Sequence, residues 1–129
     1  MSDEATRDAV HGNRLHDLKL LLDDEEWVID VNRPDEHGWT YLMYAVRFNL
    51  VDIFNYLLSK GAVVNATKPG DGNACIHMAA YEGHLELCRL LLQHGASAAT
   101  RNRSGVQPHS IAQAQGHEAV RLLLLEALK

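Results

Sequence analysis

The sequence predicts an all-α solenoid built from stacked helix–turn–helix pairs. Three observations carry this expectation. Blocks of similar sequence recur about every 33 residues, apolar residues within each block fall at helical spacing, and Gly or Asn punctuates each block at fixed places. A recurrence of this length marks a repeat architecture, in which one unit cannot bury its own apolar face and neighbours must cover it.

The recurrence is clearest in the second half. Residues 79–92 (AAYEGHLELCRLLL) return as residues 112–124 (AQAQGHEAVRLLL), and Gly83 to Gly116, His84 to His117 and Gly72 to Gly105 are each 33 residues apart. An earlier copy spans residues 38–58; Gly38 to Gly72 is 34, so one residue is inserted within 67–71. A first copy spans residues 9–22; Leu22 to Leu58 is 36, so three residues are extra in the stretch 23–29.

Each copy predicts the same elements in the same order. A first helix carries small residues at Ala9, Ala45, Ala79 and Ala80, or Ala112. It should stop at Asn13, Asn49, Gly83 or Gly116, because Asn and Gly tolerate the left-handed backbone that ends a helix. A second helix follows, with apolar residues such as Ile53, Phe54, Leu57 and Leu58, or Leu85, Leu87, Leu90 and Leu91, on one stripe. Gly61 and Gly95 end these second helices, and polar segments such as residues 68–72 (KPGDG) read as turns. Every fully buried Leu or Ile contributes about 1.5–3 kcal/mol, and each copy supplies several.

Composition narrows the function. The 129-residue chain is 47% hydrophobic and 22% charged, which suits one folded domain and argues against wholesale disorder. Residues 1–10 lack the basic start and apolar run of a secretory signal, and no stretch approaches the roughly 20 apolar residues needed to cross a bilayer. With no export signal, Cys75 and Cys88 are expected as reduced thiols and the protein as cytoplasmic, with the nucleus as a second location. The net charge of −5 is uneven. Residues 1–40 hold eleven acids and four bases (−7), and residues 41–129 hold six acids and eight bases (+2). No broad basic face for nucleic acid results; the acidic third is compatible with steering toward a basic partner, while the run at residues 23–26 reads first as a solvated loop.

At this point the chain resembles the ankyrin repeat. Residues 72–84 (GNACIHMAAYEGH), continuing through Leu92, Gly95 and Ala96, are similar to the family pattern G-x-T-P-L-H-x-A-A-x-x-G-H…L-L-L-x-x-G-A. The resemblance covers about residues 4–128, as an N-terminal cap (4–34), two interior repeats (35–68 and 69–101) and a C-terminal cap (102–129), together one domain over 1–129. The T-P-L-H box is incomplete in every copy: Thr40-Tyr41-Leu42-Met43, Ala74-Cys75-Ile76-His77, Gln107-Pro108-His109-Ser110, and Glu4-Ala5-Thr6-Arg7 in the first. Only His77 fills the family's His position. The missing pairings are expected to leave the stack less stable than a consensus array, as chemical denaturation would show.

The resemblance implies β-hairpin-like fingers between repeats and a concave face, made of fingers and first helices, that binds other proteins. By register, the finger positions are Glu36, His37 and Trp39; Gly70, Asp71 and Asn73; and Arg103, Ser104 and Val106. The first-helix positions are His11 and Gly12, Arg47 and Phe48, Tyr81 and Glu82, and Ala114 and Gln115. Of these, Trp39, Phe48 and Tyr81 are large aromatics at positions where exposure is expected, and aromatic and Arg side chains dominate interface hot spots. Arg47 beside Phe48 can pair with an acidic residue of a partner. The competing reading is that Trp39 folds down over a neighbouring finger and Phe48 fills a gap under the first linker. Trp27, Tyr44, Phe54 and Tyr56 are assigned to packing, with Tyr44 the ambiguous one.

Chemical motifs are sparse. Cys75, His77, His84, Cys88 and His94 could be counted as zinc ligands, but paired short spacings are lacking and the repeat register gives His77 and His84 structural positions. Cys75 and His77 are too close in sequence to face each other on one helix. Asn65 occupies a position that some ankyrin proteins have hydroxylated; a loop-ordering role is the simpler reading. The expectation is therefore a non-catalytic, monomeric adaptor or inhibitor without cofactor, acting on a protein partner and on neither nucleic acid nor membrane. The rivals are a constitutive subunit of a larger complex, and a metal-binding or catalytic protein using Cys75, His77 and Cys88.

Overall fold

The helix–turn–helix grammar is realised in every copy. The computed structural model describes residues 2–24 and 29–129; Trp27, Glu25 and Glu26 lie outside the described residues. Among these, helices come in four pairs: α1 (Ser2–His11) with α2 (Leu15–Leu22), α3 (Tyr41–Arg47) with α4 (Val51–Ser59), α5 (Cys75–Glu82) with α6 (Leu85–Gln93), and α7 (Pro108–Ala114) with α8 (Glu118–Ala127). The chain divides into two compact units, residues 1–62 with α1 to α4 and residues 63–129 with α5 to α8.

The small residues and the turn residues act together. Asn13 (φ 54°), Asn49 (58°), Gly83 (76°) and Gly116 (78°) all take the left-handed conformation. That reversal lets the next N–H reach back to the carbonyl of the same small residue in each copy: Arg14 to Ala9 (2.8 Å), Leu50 to Ala45 (2.8 Å), His84 to Ala79 (3.1 Å) and His117 to Ala112 (2.9 Å). This satisfies a carbonyl that the helix end would otherwise leave without a partner. The four alanines are at most 1% exposed, so anything larger would push the paired helices apart.

The second helices bury part of the predicted stripe, while Leu58, Leu85 and Leu90 at its edge stay half-buried. Ile53, Phe54 and Leu57 in α4, and Leu87, Cys88 and Leu91 in α6, are fully buried. Gly61 and Gly95 end these helices, and the following N–H groups of Ala62 and Ala96 bond back to Leu57 and Leu91. Two asparagines one repeat upstream then tie down the exposed glycine carbonyls: Asn32 Nδ2 donates to Gly61 at 3.0 Å and Asn65 Nδ2 to Gly95 at 3.2 Å. Asn65 thus orders a loop.

The fingers are tight turns more than hairpins. Pairing is limited to an isolated antiparallel bridge between Thr67 and Ala74, and to single backbone bonds such as Asp35 N–H to Trp39 (2.9 Å) and Asn102 N–H to Val106 (3.1 Å). Side chains complete them. Asp35 accepts from the N–H groups of His37 and Trp39, and Asn102 from those of Ser104 and Val106, each at 2.9–3.0 Å. In the finger before α5 the same backbone bonds fall on Lys68, whose N–H donates to Asn73 and whose carbonyl accepts from Gly72, and Asp71 instead accepts from Asn73 N–H at 2.9 Å.

Candidate functional site

In residues 1–62, the end of α1, the finger and α3 converge on a row of rings. Tyr44 and Phe48 are four residues apart, so α3 places them on one face. Trp39, at the finger's base, stacks on Tyr44 with centroids 5.0 Å apart and planes 30° apart; Tyr44 lies nearly parallel to Phe48 at 6.5 Å and 13°. His11, in the last turn of α1, meets Tyr44 at 4.4 Å and Phe48 edge-on at 5.7 Å. Such ring pairs contribute about 0.5–1.5 kcal/mol each beyond area burial, which fixes the row in place while leaving Phe48 49% exposed.

This changes two readings made from sequence. Trp39 is half-buried and not fully exposed, because its ring rests on Tyr44. Tyr44, assigned to packing, is the centre of the row. Its hydroxyl donates to Asp35 Oδ2. Burial and that carboxylate push the Tyr44 phenol well above the ordinary tyrosine range. Burial works against the Asp35 carboxylate, but the bonds from Tyr44 and from the Trp39 and His37 N–H groups outweigh it and hold the carboxyl below the usual range. Asp35 is charged at neutral pH and locks finger, ring row and α3 together. Nothing in the sequence marked this role.

Beside the row lies a cleft of about 340 Å³, at the small end of ligand-sized sites. Glu4 and Arg7 of α1 form one wall, Arg33, Asp35 and Glu36 another, and Trp39 and Tyr44 a third. Arg7 Nη1 pairs with Glu36 at 3.3 Å, and His37 Nε2 approaches Glu36 at 3.7 Å. Both pairs are largely in water, where such contacts contribute at most about 1 kcal/mol and yield easily to a competitor.

In residues 63–129, Tyr81 is 53% exposed near the end of α5, with Glu82 half-buried beside it. The Tyr81 carbonyl faces His117 Nε2 at 3.0 Å, so its backbone is held while its ring stays in solvent. Arg103 is exposed and its N–H bonds the Asp71 carbonyl at 3.0 Å. Asp71 and Asn73 are partly committed to the loop: Asp71 pairs with Lys68 at 3.2 Å, and Asn73 Oδ1 accepts from Asn102 Nδ2 at 2.9 Å. Arg47 is exposed at the end of α3. Tyr56, also assigned to packing, is half-buried and donates to Asp23 at 2.6 Å, while Lys60 pairs with the same carboxylate at 2.5 Å.

Both thiols and the His77 imidazole are buried in the structure. Cys75 and Cys88 are free and fully buried, and burial pushes both thiols up to about 12, so neither supplies thiolate near neutrality. His77 Nδ1 accepts from Ala74 N–H at 3.0 Å, which makes Nε2 the donor to Val106 C=O at 3.1 Å. Burial lowers the His77 pKa, matching a neutral ring in this bridge. Among the described residues no group of three or more His, Cys, Asp or Glu side chains could hold a metal ion, and no helix is long and apolar enough to cross a membrane.

Repeated helix pairs, with aromatics exposed at the ends of two first helices, define a helical-repeat scaffold. The family model for ankyrin repeats (3 copies) matches residues 5–68 and 64–128, and the chain belongs to the ankyrin-repeat family. Ankyrin repeats are in general non-catalytic protein–protein interaction modules. The chain is 30% identical over 69% of its length to potassium channel AKT3 of Oryza sativa subsp. japonica. It is 32% identical over 95% of its length to the E3 ubiquitin-protein ligase Ufd4 of Drosophila melanogaster, and 39% identical over 52% to palmitoyltransferase ZDHHC13 of Homo sapiens. It spans only 10%, 4% and 11% of these proteins, respectively.

Proposed function

We propose that the chain is a monomeric, non-catalytic binding module that acts as an adaptor or inhibitor of a protein partner, in the cytoplasm or nucleus. The ring row, with Phe48 exposed at its end, carries this reading. Phe48 is a large apolar side chain left half in water at a place where neighbouring rings hold it rigid, so little entropy is lost when a partner covers it. Trp39, Phe48 and Arg47 serve as anchors in the first unit, and Tyr81 with Glu82 in the second. Glu36, His37, Asp71, Asn73 and Arg103 supply polar contacts from the fingers. All four repeats act as one domain in this reading. The test is affinity capture with the wild-type chain against Trp39→Ala/Phe48→Ala/Tyr81→Ala, with circular dichroism as the control for folding. Specific partners should disappear from the variant. Capture of the same proteins by both chains would refute the docking surface.

A further inference from the structure

We propose that the cleft beside Trp39 receives an arginine side chain presented by the protein partner. This deepens the docking reading above and rests on it. The cleft walls carry three carboxylates, Glu4, Asp35 and Glu36, against two guanidinium groups, Arg7 and Arg33. Arg7 is matched to Glu36 across a pair that is largely in water, so an incoming guanidinium can take Arg7's place on the same carboxylate. Glu4 is exposed, and no hydrogen bond or ion pair engages it among the described residues. The Asp35 carboxylate stands beside the rings, fixed by the Tyr44 hydroxyl and two N–H groups.

The shape of the lining selects among cations. Trp39 and Tyr44 present stacked rings, with planes 30° apart. A planar guanidinium can lie along such a surface and still direct N–H groups at a carboxylate in its plane; an ammonium is a hydrated point charge without that geometry. The segment that supplies all the charged groups of the cleft, residues 1–40, carries −7 in sequence, a charge that attracts cationic segments.

The test uses the full 129-residue chain, 15N-labelled, at low salt. The probe is N-acetyl-arginine-N-methylamide, compared with its citrulline, lysine and glutamate counterparts. The readout is the Trp39 indole N–H resonance, assigned with Trp39→Phe. The arginine probe should shift that resonance saturably, and citrulline, which keeps the shape without the charge, should not. Glu4→Gln should weaken binding roughly threefold, and Arg7→Gln, which releases Glu36, should strengthen it by a similar factor. Both substitutions lie on exposed or half-exposed side chains outside the core. Equal shifts with citrulline or lysine, tighter binding of the glutamate probe, weaker binding in Arg7→Gln, or no saturable shift would each overturn the assignment. A flat titration alongside partner capture that still depends on Trp39, Phe48 and Tyr81 would remove the arginine cleft alone. Capture indifferent to those three residues would remove the docking surface itself, whatever the titration gives.

Discussion

In residues 1–62 the junction between the first two repeats is made by side chains that meet one another: His11 on Tyr44, Arg7 on Glu36, Tyr44 on Asp35. In residues 63–129, apart from the Asn102–Asn73 amide pair, the corresponding junction is made by side chains that meet backbone. His77 bridges Ala74 N–H and Val106 C=O, and His117 reaches the Tyr81 carbonyl. The His77 ring is fully buried with both nitrogens engaged, so water cannot take over its bonds. Surface pairs and stacked rings have exchangeable partners. The second unit therefore puts a buried histidine into holding repeats together, and the first leaves charged and aromatic groups at the surface, where the proposed docking site lies.

The largest expected effect falls on the buried bridge. His77→Ala would strand an N–H and a C=O and open a cavity, so it should cost about 3 kcal/mol in urea denaturation. A loss below about 1 kcal/mol would mean that the bridge is not what holds this junction. The sign of its pH dependence follows from the lowered native pKa. The stability is fully present above the unfolded value of about 6.5 and is lost as pH falls through the depressed native value. Urea midpoints of the wild type should therefore drop on acidification, and those of His77→Ala should drop less.

Next comes the helix-ending turn, where the units use different residues. Gly83 has φ 76°, and an added Cβ would stand 2.6 Å from the His117 ring. Gly83→Ala should cost about 2 kcal/mol, from the left-handed strain and the displaced imidazole. At the matching turn, Asn49 already carries a side chain at φ 58°, and Asn49→Gly should change stability by less than about 0.5 kcal/mol. Equal effects in the two thermal melts would contradict the contrast.

A smaller loss, about 1 kcal/mol, is expected for Asp35→Asn at pH 7, since amide for carboxylate weakens the bonds from Tyr44 and the finger N–H groups. Asp35 titrates below its ordinary value, so its contribution is present above about pH 4 and disappears as pH falls through the native value. Wild type and variant should then converge in acid, a behaviour that urea titrations at pH 7 and below pH 4 would show. The smallest effect belongs to Arg7→Gln. Its exposed pair with Glu36 should be worth under about 0.5 kcal/mol at low salt and nothing measurable at 1 M salt. A larger, salt-independent loss in urea denaturation would place Arg7 in the packing.

Much of the fold was legible because it depends on local chemistry. The positions of Asn13, Asn49, Gly83 and Gly116 announced where first helices end, since few residues accept that backbone. Ala9, Ala45, Ala79 and Ala112 announced where helices come close, and the leucine stripes announced which faces are covered. Likewise, Phe48 and Tyr81 were placed correctly in solvent, because helical register fixes which way a position faces.

Tertiary structure alone decided which residues meet across the repeats. Nothing in periodicity says that Tyr44 would take Asp35 as its partner, that His11 would close the ring row, or that Glu4 and Arg7 would wall a cleft with Trp39. Those contacts join residues as far apart as Glu4 and Tyr44, and they depend on rotamers and on how one repeat is offset from the next. A helical pattern carries the direction of a side chain; its distance to a neighbour is set only when the cores pack.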